Sequence, residues 1–321
     1  MIFKYLLILF ALLLHFPVLA INIKGSLVNG TTEAPGRAEI IKLLQVGQQM
    51  SVLQEKKNIS GNFQFTGISG QGPFLLQVTY QGVNYNQIVP PGQENKNHVV
   101  NVFEKSSDRK LLSVRSLIQI VREKSGFRIY KMFIINNTGL PPRSYDNPSD
   151  PIEIFVPENA EEVFGQLTQG SGMGIPLDLK KGREGRLLGR AILPGSSELQ
   201  ISFFIPGDDD ATISDKTLFN DGATRYVFLK PRDMKVSFSG QKSVKDLDKN
   251  APEGLNAYEV EYSSSALEIS LSGGTPVVNP AAKRVIVNGT FFNTWDRSAL
   301  GILAFLGLLF TLSFIFIYKD K

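Results

Sequence analysis

Hydrophobic residues follow two different patterns along this chain: they are continuous at both ends and alternate with polar residues in between. From about residue 21 to 297, short runs rich in Val, Ile, Phe and Tyr are separated by Gly, Pro and Asn. No long window there has the 3.6-residue period of an amphipathic helix. Such runs are typical of antiparallel strands. The pattern therefore predicts an all-β body of tandem antiparallel β-sandwiches.

The first twenty residues have the layout of a secretory signal peptide. Lys4 precedes an apolar run over residues 5–14, and the segment ends in the small residues Val18 and Ala20, which suit a cleavage site. Residues 1–20 are therefore predicted to be a signal peptide. The alternative is an uncleaved anchor, but the apolar run is shorter than the roughly 20 residues that a membrane span needs.

Residues 299–318 form the second continuous apolar segment, twenty residues without a charged side chain. As a helix this segment would be about 30 Å long, which matches the hydrocarbon core of a bilayer. Trp295 lies just before it, where aromatic rings favour the membrane interface, and Lys319 and Lys321 follow it. We therefore predict one C-terminal transmembrane helix in the lipid bilayer, with a cytoplasmic tail at 319–321.

Residues 21–103 are predicted to be the first sandwich, and alternation places Phe63 and Phe65 on one face of a strand. Three segments resemble the carboxypeptidase regulatory-like domain, a transthyretin-like sandwich: IKGSLV at 23–28, SGNFQF at 60–65 and FLLQVTYQGVNY at 74–85. The resemblance covers about a quarter of the chain. Its motifs are glycine turns and alternating aromatics without catalytic residues. It implies a binding, adhesion or spacer module, carbohydrate-binding-like in fold.

Residues 111–241 are predicted to be a second β-sandwich. A hairpin of residues 111–121 and 127–136 begins it. The segment resembles the middle region of uncharacterised bacterial envelope proteins with the same order of signal, regulatory-like domain, second sandwich and C-terminal span. That resemblance implies no activity.

Residues 242–297 are predicted to be a membrane-proximal stalk. A strand pair at 258–262 and 266–271 belongs either to the second sandwich or to a small third unit. Closer to the membrane, residues 285–292 are predicted to form a short hairpin around an Asn-Gly turn.

The amino-acid composition excludes several kinds of functional site in the body. The chain has 34 basic and 30 acidic residues, and without its two ends it is close to neutral, so we expect no nucleic-acid partner. The absence of cysteine excludes thiol nucleophiles and zinc thiolate sites, and favours a bacterial envelope over an animal extracellular setting. Without the signal peptide, His98 is the one histidine, which excludes sites built on several imidazoles.

Three polar segments have compositions found at binding sites. The carboxylates of Asp208, Asp209 and Asp210 could bind calcium, although the EF-hand spacing is missing and an exposed turn is the simpler interpretation. Residues 170–174 have the glycines of a phosphate loop but not its Lys-Ser/Thr pair. A basic run could face an acidic partner or anionic headgroups, or be a solvated loop: Lys180, Lys181, Arg183, Arg186 and Arg190.

Some side chains have two plausible roles. Tyr80 and Tyr85 could stack on sugar rings or lie in the first core. Four Asn-x-Ser/Thr sequons would be glycosylation acceptors in a eukaryotic secretory protein and are otherwise turn residues or chance matches: Asn29, Asn58, Asn136 and Asn288.

Together these features predict a non-enzymatic, single-pass protein of the bacterial inner membrane, with its body in the periplasm. We expect a binding or scaffold module of a membrane complex, with a protein partner in the envelope. One alternative is a carbohydrate- or peptidoglycan-binding protein with a glycan ligand, and another is a subunit of a eukaryotic endoplasmic reticulum membrane complex. We predict no catalytic residue, cofactor or metal.

Overall fold

The structure is a computed structural model that describes residues 21–47, 50–70, 72–170, 172–219, 224–262 and 266–277. These residues form an all-β body of several, mainly antiparallel sheets, within one compact unit that ends at Pro276. Their helical content is two short 3-10 turns, Arg109–Leu111 and Asp248–Asn250. None of the described helices could cross a bilayer, and the predicted signal peptide and transmembrane helix lie outside the described residues.

The first part of the body contains eight strands in two sheets. Their bounds are β1 Ile21–Asn29, β2 Ala34–Pro35, β3 Arg37–Gln45, β4 Ser51–Ser60, β5 Asn62–Ile68, β6 Phe74–Tyr80, β7 Val83–Val89 and β8 Asn97–Val102. In one sheet, β1 pairs with β2 and β5 in antiparallel fashion and with β8 in parallel. The other sheet has the antiparallel order β4-β3-β6-β7. Both sheets contribute to one hydrophobic core, which is a sandwich-like arrangement.

Side chains alternate between the two faces of a strand, and this alternation explains which residues form the first core. Phe63 and Phe65 of β5 are both buried, with ring centroids 6.1 Å apart, which confirms that they share one face. Close approach of β8 requires a glycine at position 25 of β1. A methyl group on Gly25 would lie 2.3 Å from the carbonyl oxygen of His98.

The second part contains the remaining sixteen described strands. Their bounds are β9 Lys105–Ser106, β10 Leu112–Glu123, β11 Gly126–Asn137, β12 Ser144–Tyr145, β13 Glu153–Phe155, β14 Glu161–Gln169, β15 Ile175–Pro176, β16 Lys180–Lys181, β17 Gly185–Leu187, β18 Gly195–Pro206, β19 Asp210–Asp215, β20 Thr224–Pro231, β21 Met234–Ser239, β22 Gln241–Asp246, β23 Leu255–Tyr262 and β24 Leu267–Gly273.

An eight-stranded sheet dominates the second part, in the order β15-β14-β18-β11-β10-β20-β23-β22. Two three-stranded sheets, β19-β24-β21 and β13-β17-β16, contribute to the same hydrophobic core. The hairpin predicted at the start of this region is confirmed, because β10 and β11 pair from Leu112↔Asn137 to Glu123↔Gly126.

Two details differ from the predicted antiparallel arrangement. The pairs β1–β8, β9–β12 and β10–β20 are parallel. Parallel neighbours need a long connection, and the chain forms most of the second part between β10 and β20. Strands β23 and β24 do not pair with each other: β23 lies between β20 and β22, and β24 lies between β19 and β21. Their buried residues contribute to the same core from two different sheets, so both strands belong to the second part.

A buried ion pair ties three of the four described sheets of the second part together. Lys131 on β11 contacts the carboxylate of Asp215 at the end of β19, and each side chain is only 2% exposed. Lys131 Nζ also donates to the carbonyl oxygen of Phe155 on β13 at 2.9 Å, and the Tyr262 hydroxyl donates to Asp215 Oδ2 at 3.4 Å. Burial, and then the Asp215 carboxylate, raise the pKa of Tyr262 far above its ordinary value, which keeps this hydroxyl protonated.

A second network joins the first part to the second through Glu104. Its carboxylate accepts hydrogen bonds from Asn29 Nδ2 at 2.7 Å and from the Tyr80 hydroxyl at 2.6 Å. Its backbone carbonyl accepts from the Ser144 amide at 2.9 Å, and the Tyr85 hydroxyl lies 3.0 Å from Ser144 Oγ. Both the backbone and the side chain of Glu104 therefore hold the junction.

We expect Lys131→Met to lower the free energy of unfolding by about 3–5 kcal/mol, because it leaves the Asp215 carboxylate buried without its cation. The matched control is Lys216→Met, which removes a surface pair with Glu184 at 2.8 Å and should cost less than about 1 kcal/mol. Guanidinium denaturation of the full-length chain measures the free energy of unfolding of both variants. Equal stability of the two variants would contradict a central role for the buried pair.

The junction should weaken in acid. The hydrogen bond from Tyr80 lowers the pKa of Glu104 below its ordinary 4.5, despite opposing desolvation. A depressed carboxyl pKa contributes stability that is present above the ordinary value and is lost as the pH falls through the folded-state value. The protection of amides around Ser144, measured as the exchange rate relative to the intrinsic rate at the same pH, should therefore fall below pH 4.5. Glu104→Gln should show fast exchange already at neutral pH, whereas the exposed control Glu253→Gln should behave as wild type. An unchanged profile in Glu104→Gln would refute this role.

Candidate functional site

The eight-stranded sheet has two faces, and only one of them contributes to the second core. Along β10, Ile118 and Ile120 are buried in the core, whereas Leu117 is partly exposed on the opposite side. The strand register extends this division across the sheet, because Leu117 lies opposite Met132 of β11 and Val227 of β20. The side that points away from the core is called the outer face below.

The outer face carries an apolar patch. A sheet that faces water on one side ordinarily has polar residues there. Two patch residues are aromatic and well exposed, Phe164 at 52% and Tyr130 at 41%. The others lie on β10, β11 and β20 and are partly exposed. This outer patch consists of Leu117, Val121, Tyr130, Met132, Ile134, Phe164 and Val227. Contiguous exposed apolar side chains of this kind mark interaction sites.

Polar groups surround the outer patch, and several charges among them are already paired. Arg128 Nε donates to Glu123 Oε1 at 2.9 Å. Arg225 Nε lies 3.4 Å from Glu261 Oε2. Gln119 adds an amide beside the patch. An apolar centre with a polar rim is the composition of protein–protein interfaces.

The three-stranded sheet β19-β24-β21 has a different outward face. Thr212, Ser270 and Ser237 lie side by side there. They help to line a shallow depression of about 530 Å³, together with Asp210, Ala211, Lys235, Val236, Leu271 and Ser272. No aromatic ring lines this depression, so it lacks the broad apolar surface of the outer patch.

The three aspartates do not form a cation site within the described residues. Asp208, Asp209 and Asp210 are all exposed, and no group of three His, Cys, Asp or Glu side chains in the described ranges is placed to hold a metal ion. Asp209 Oδ1 instead lies 3.6 Å from Arg122 Nη2. A calcium ion there would have to compete with this guanidinium, which the sequence spacing does not reveal.

Other residues singled out from the sequence have structural contacts. His98 is buried, and its Nε2 lies 3.1 Å from the carbonyl oxygen of Gln93. Tyr85 is 3% exposed, and Tyr80 is half-buried with its hydroxyl bonded to Glu104. Burial therefore keeps the Tyr85 ring from stacking on a sugar.

The glycine segment and the basic run lie near the edge of the second part. Gly170, Gly172 and Gly174 belong to the connection between β14 and β15, where the Gly172 amide donates to Gln169 O at 3.0 Å. Four of the five basic residues lie on the hairpin of β16 and β17, and Arg190 follows shortly after it.

The sequon asparagines have different surroundings. Asn29 is buried, and its amide is bonded to Glu104. Asn58 is exposed with a φ of 53°, and Asn136 lies on β11. Asn288 lies outside the described residues.

Comparisons with known proteins leave the family open. No family model and no curated protein matches the chain. Among solved structures, it is similar to an M1 zinc metallopeptidase from Deinococcus radiodurans at 10% identity and a TM-score of 0.24, over 52% of this chain and 43% of that one. A two-domain M1 zinc metallopeptidase variant bound to L-arginine gives 9% identity, a TM-score of 0.24 and coverage of 52% and 44%. The chain thus matches less than half of either enzyme, and similarity this low assigns neither family nor activity.

The sequence reasoning missed the outer patch, although a signal for it exists. β10 and β11 contain consecutive apolar residues, such as Leu117-Ile118 and Phe133-Ile134-Ile135, instead of strict alternation. Continuous apolar runs are typical of strands with both faces covered. These two strands therefore have the composition of a sheet buried on both sides.

Proposed function

We propose that the chain is a non-enzymatic, single-pass protein of the bacterial inner membrane that acts as a binding or scaffold module of a membrane complex. The apolar segment 299–318 would anchor it, and the body would lie in the periplasm after removal of residues 1–20. The outer patch is the observation that carries the proposal, because it is an apolar surface on a sheet whose other face already covers a core.

The partner at the outer patch is a protein with an apolar surface of its own. Tyr, Met and Phe, which are enriched in interface cores, occur in the patch as Tyr130, Met132 and Phe164. Arg128 is paired with Glu123 and Arg225 with Glu261, whereas a surface for anionic lipid would offer a cluster of free cations. These features support a protein partner over the bilayer surface.

The first part of the body is proposed to be a carboxypeptidase regulatory-like domain of transthyretin-like topology. Support comes from the glycine and aromatic segments of residues 23–85 and from two four-stranded sheets around one core. Such a domain would serve as a binding, adhesion or spacer module.

The substitutions Leu117→Lys, Met132→Lys and Val227→Lys, combined in one chain, should abolish crosslinks between the protein and its neighbours in native membranes. The expected cause is loss of apolar contact and burial of unpaired charge at the interface. The three lysines would lie side by side across neighbouring strands, so some loss of stability through like-charge repulsion is expected. Denaturation of the variant checks that it remains folded.

A matched control places three lysines on the other outward face: Thr212→Lys, Ser237→Lys and Ser270→Lys. This control should retain the crosslinks. Equal crosslinking by both variants would exclude the outer patch as the docking surface, and recovery of the full-length chain in the soluble fraction would exclude the membrane anchor.

Glycan binding is the second candidate function, and the two exposed rings of the outer patch favour it. Phe164 and Tyr130 lie in one cross-strand row, with Ser202 between them. Two strand spacings, about 10 Å, separate them. A linear glycan could rest on both rings, while Gln119 beside Tyr130 offers hydrogen bonds.

If this second function holds, the purified chain should be retained on peptidoglycan sacculi without any other protein, and Tyr130→Ser with Phe164→Ser should release it. A control with two exposed apolar residues elsewhere, Leu140→Ser with Met173→Ser, should still be retained. Failure of the wild-type chain to sediment with sacculi would remove this candidate and leave the protein partner.

A further inference from the structure

A second surface, the hairpin of β16 and β17, exposes cations in an arrangement that folding alone does not favour. The Gly182 amide donates to Gly185 O at 2.9 Å to close the turn. The register places Lys181 directly opposite Arg186. Like charges in directly opposite positions destabilise a strand pair. An opposing charge from outside the hairpin would relieve this repulsion.

The acidic side chain of the hairpin is already engaged within the body. Glu184 Oε2 lies 2.8 Å from Lys216 Nζ, and this hydrogen bond lowers the pKa of Glu184. The Glu184 amide donates to Glu153 Oε1 at 2.6 Å, which fixes the turn. Five cations form no salt bridge with any described residue: Lys180, Lys181, Arg183, Arg186 and Arg190.

We infer that the β16–β17 hairpin, with Arg190, binds an acidic protein segment, a stretch rich in Asp and Glu on a partner chain. The guanidinium group of arginine donates two parallel hydrogen bonds to one carboxylate, and each lysine ammonium adds a flexible point charge. β16 is the edge strand of its described sheet, and the outer edge of such a strand can pair with a peptide segment but not with a lipid headgroup. Binding at the hairpin does not require the outer patch.

The test uses the full-length chain in nanodiscs of zwitterionic lipid and a fluorescent poly-glutamate peptide as the probe, read by anisotropy. The wild-type chain should bind the peptide, and binding should weaken as salt is added. Lys180→Gln, Lys181→Gln and Arg183→Gln in one chain should reduce affinity roughly tenfold, which corresponds to about 1.4 kcal/mol, because exposed ion pairs each contribute little.

The matched control removes the same charge elsewhere through Lys124→Gln, Lys242→Gln and Lys245→Gln, all at exposed positions. It should bind the peptide as wild type does. An equal loss in the control, or no binding by the wild-type chain, would overturn the inference. Hairpin-dependent binding to phosphatidylglycerol vesicles but not to the peptide would also overturn it. Crosslinks in native membranes, scored for the same variants, report on the proposed function separately.

Discussion

The contact between Lys131 and Asp215 is the interaction on which the arrangement of the second part depends. Two charges buried in an apolar core are tolerated only when they meet in good geometry and their remaining hydrogen-bonding groups are satisfied. The lysine is on the large sheet, the aspartate ends a strand of a small sheet, and the carbonyl of Phe155 comes from the other small sheet. One contact therefore fixes the relative positions of three sheets.

Both candidate surfaces follow from this constraint. The face of the large sheet that holds Lys131 must point inward, so the alternate side chains of the same strands must point outward. Phe155 pairs with Gly185, so β13 connects the ion pair to the basic hairpin. The Lys216 ammonium lies 5.7 Å from the centroid of the Phe155 ring and contacts Glu184. The hairpin is thus positioned by the core, although its cations face away from it.

Sequence reasoning recovers local structure well and long-range structure poorly. Phe63 and Phe65 share a buried face, and β10 and β11 form a hairpin, because alternation and turn residues act over a few positions. The parallel pairing of β10 with β20 depends on contacts between distant residues, and no local pattern encodes it. The outer patch was missed for a related reason. Consecutive apolar residues reveal strands with two apolar faces, but only the pairing order shows which face lacks a described covering sheet.

The location of β24 has a mechanical consequence. This strand is central in its sheet, paired with β19 on one side and β21 on the other. A tension applied along β24 through the chain beyond Thr275 would load both rows of hydrogen bonds together. The same tension along an edge strand would load one row. If the chain is tethered at its C-terminal side, the body is therefore attached through the part of this small sheet that best resists force.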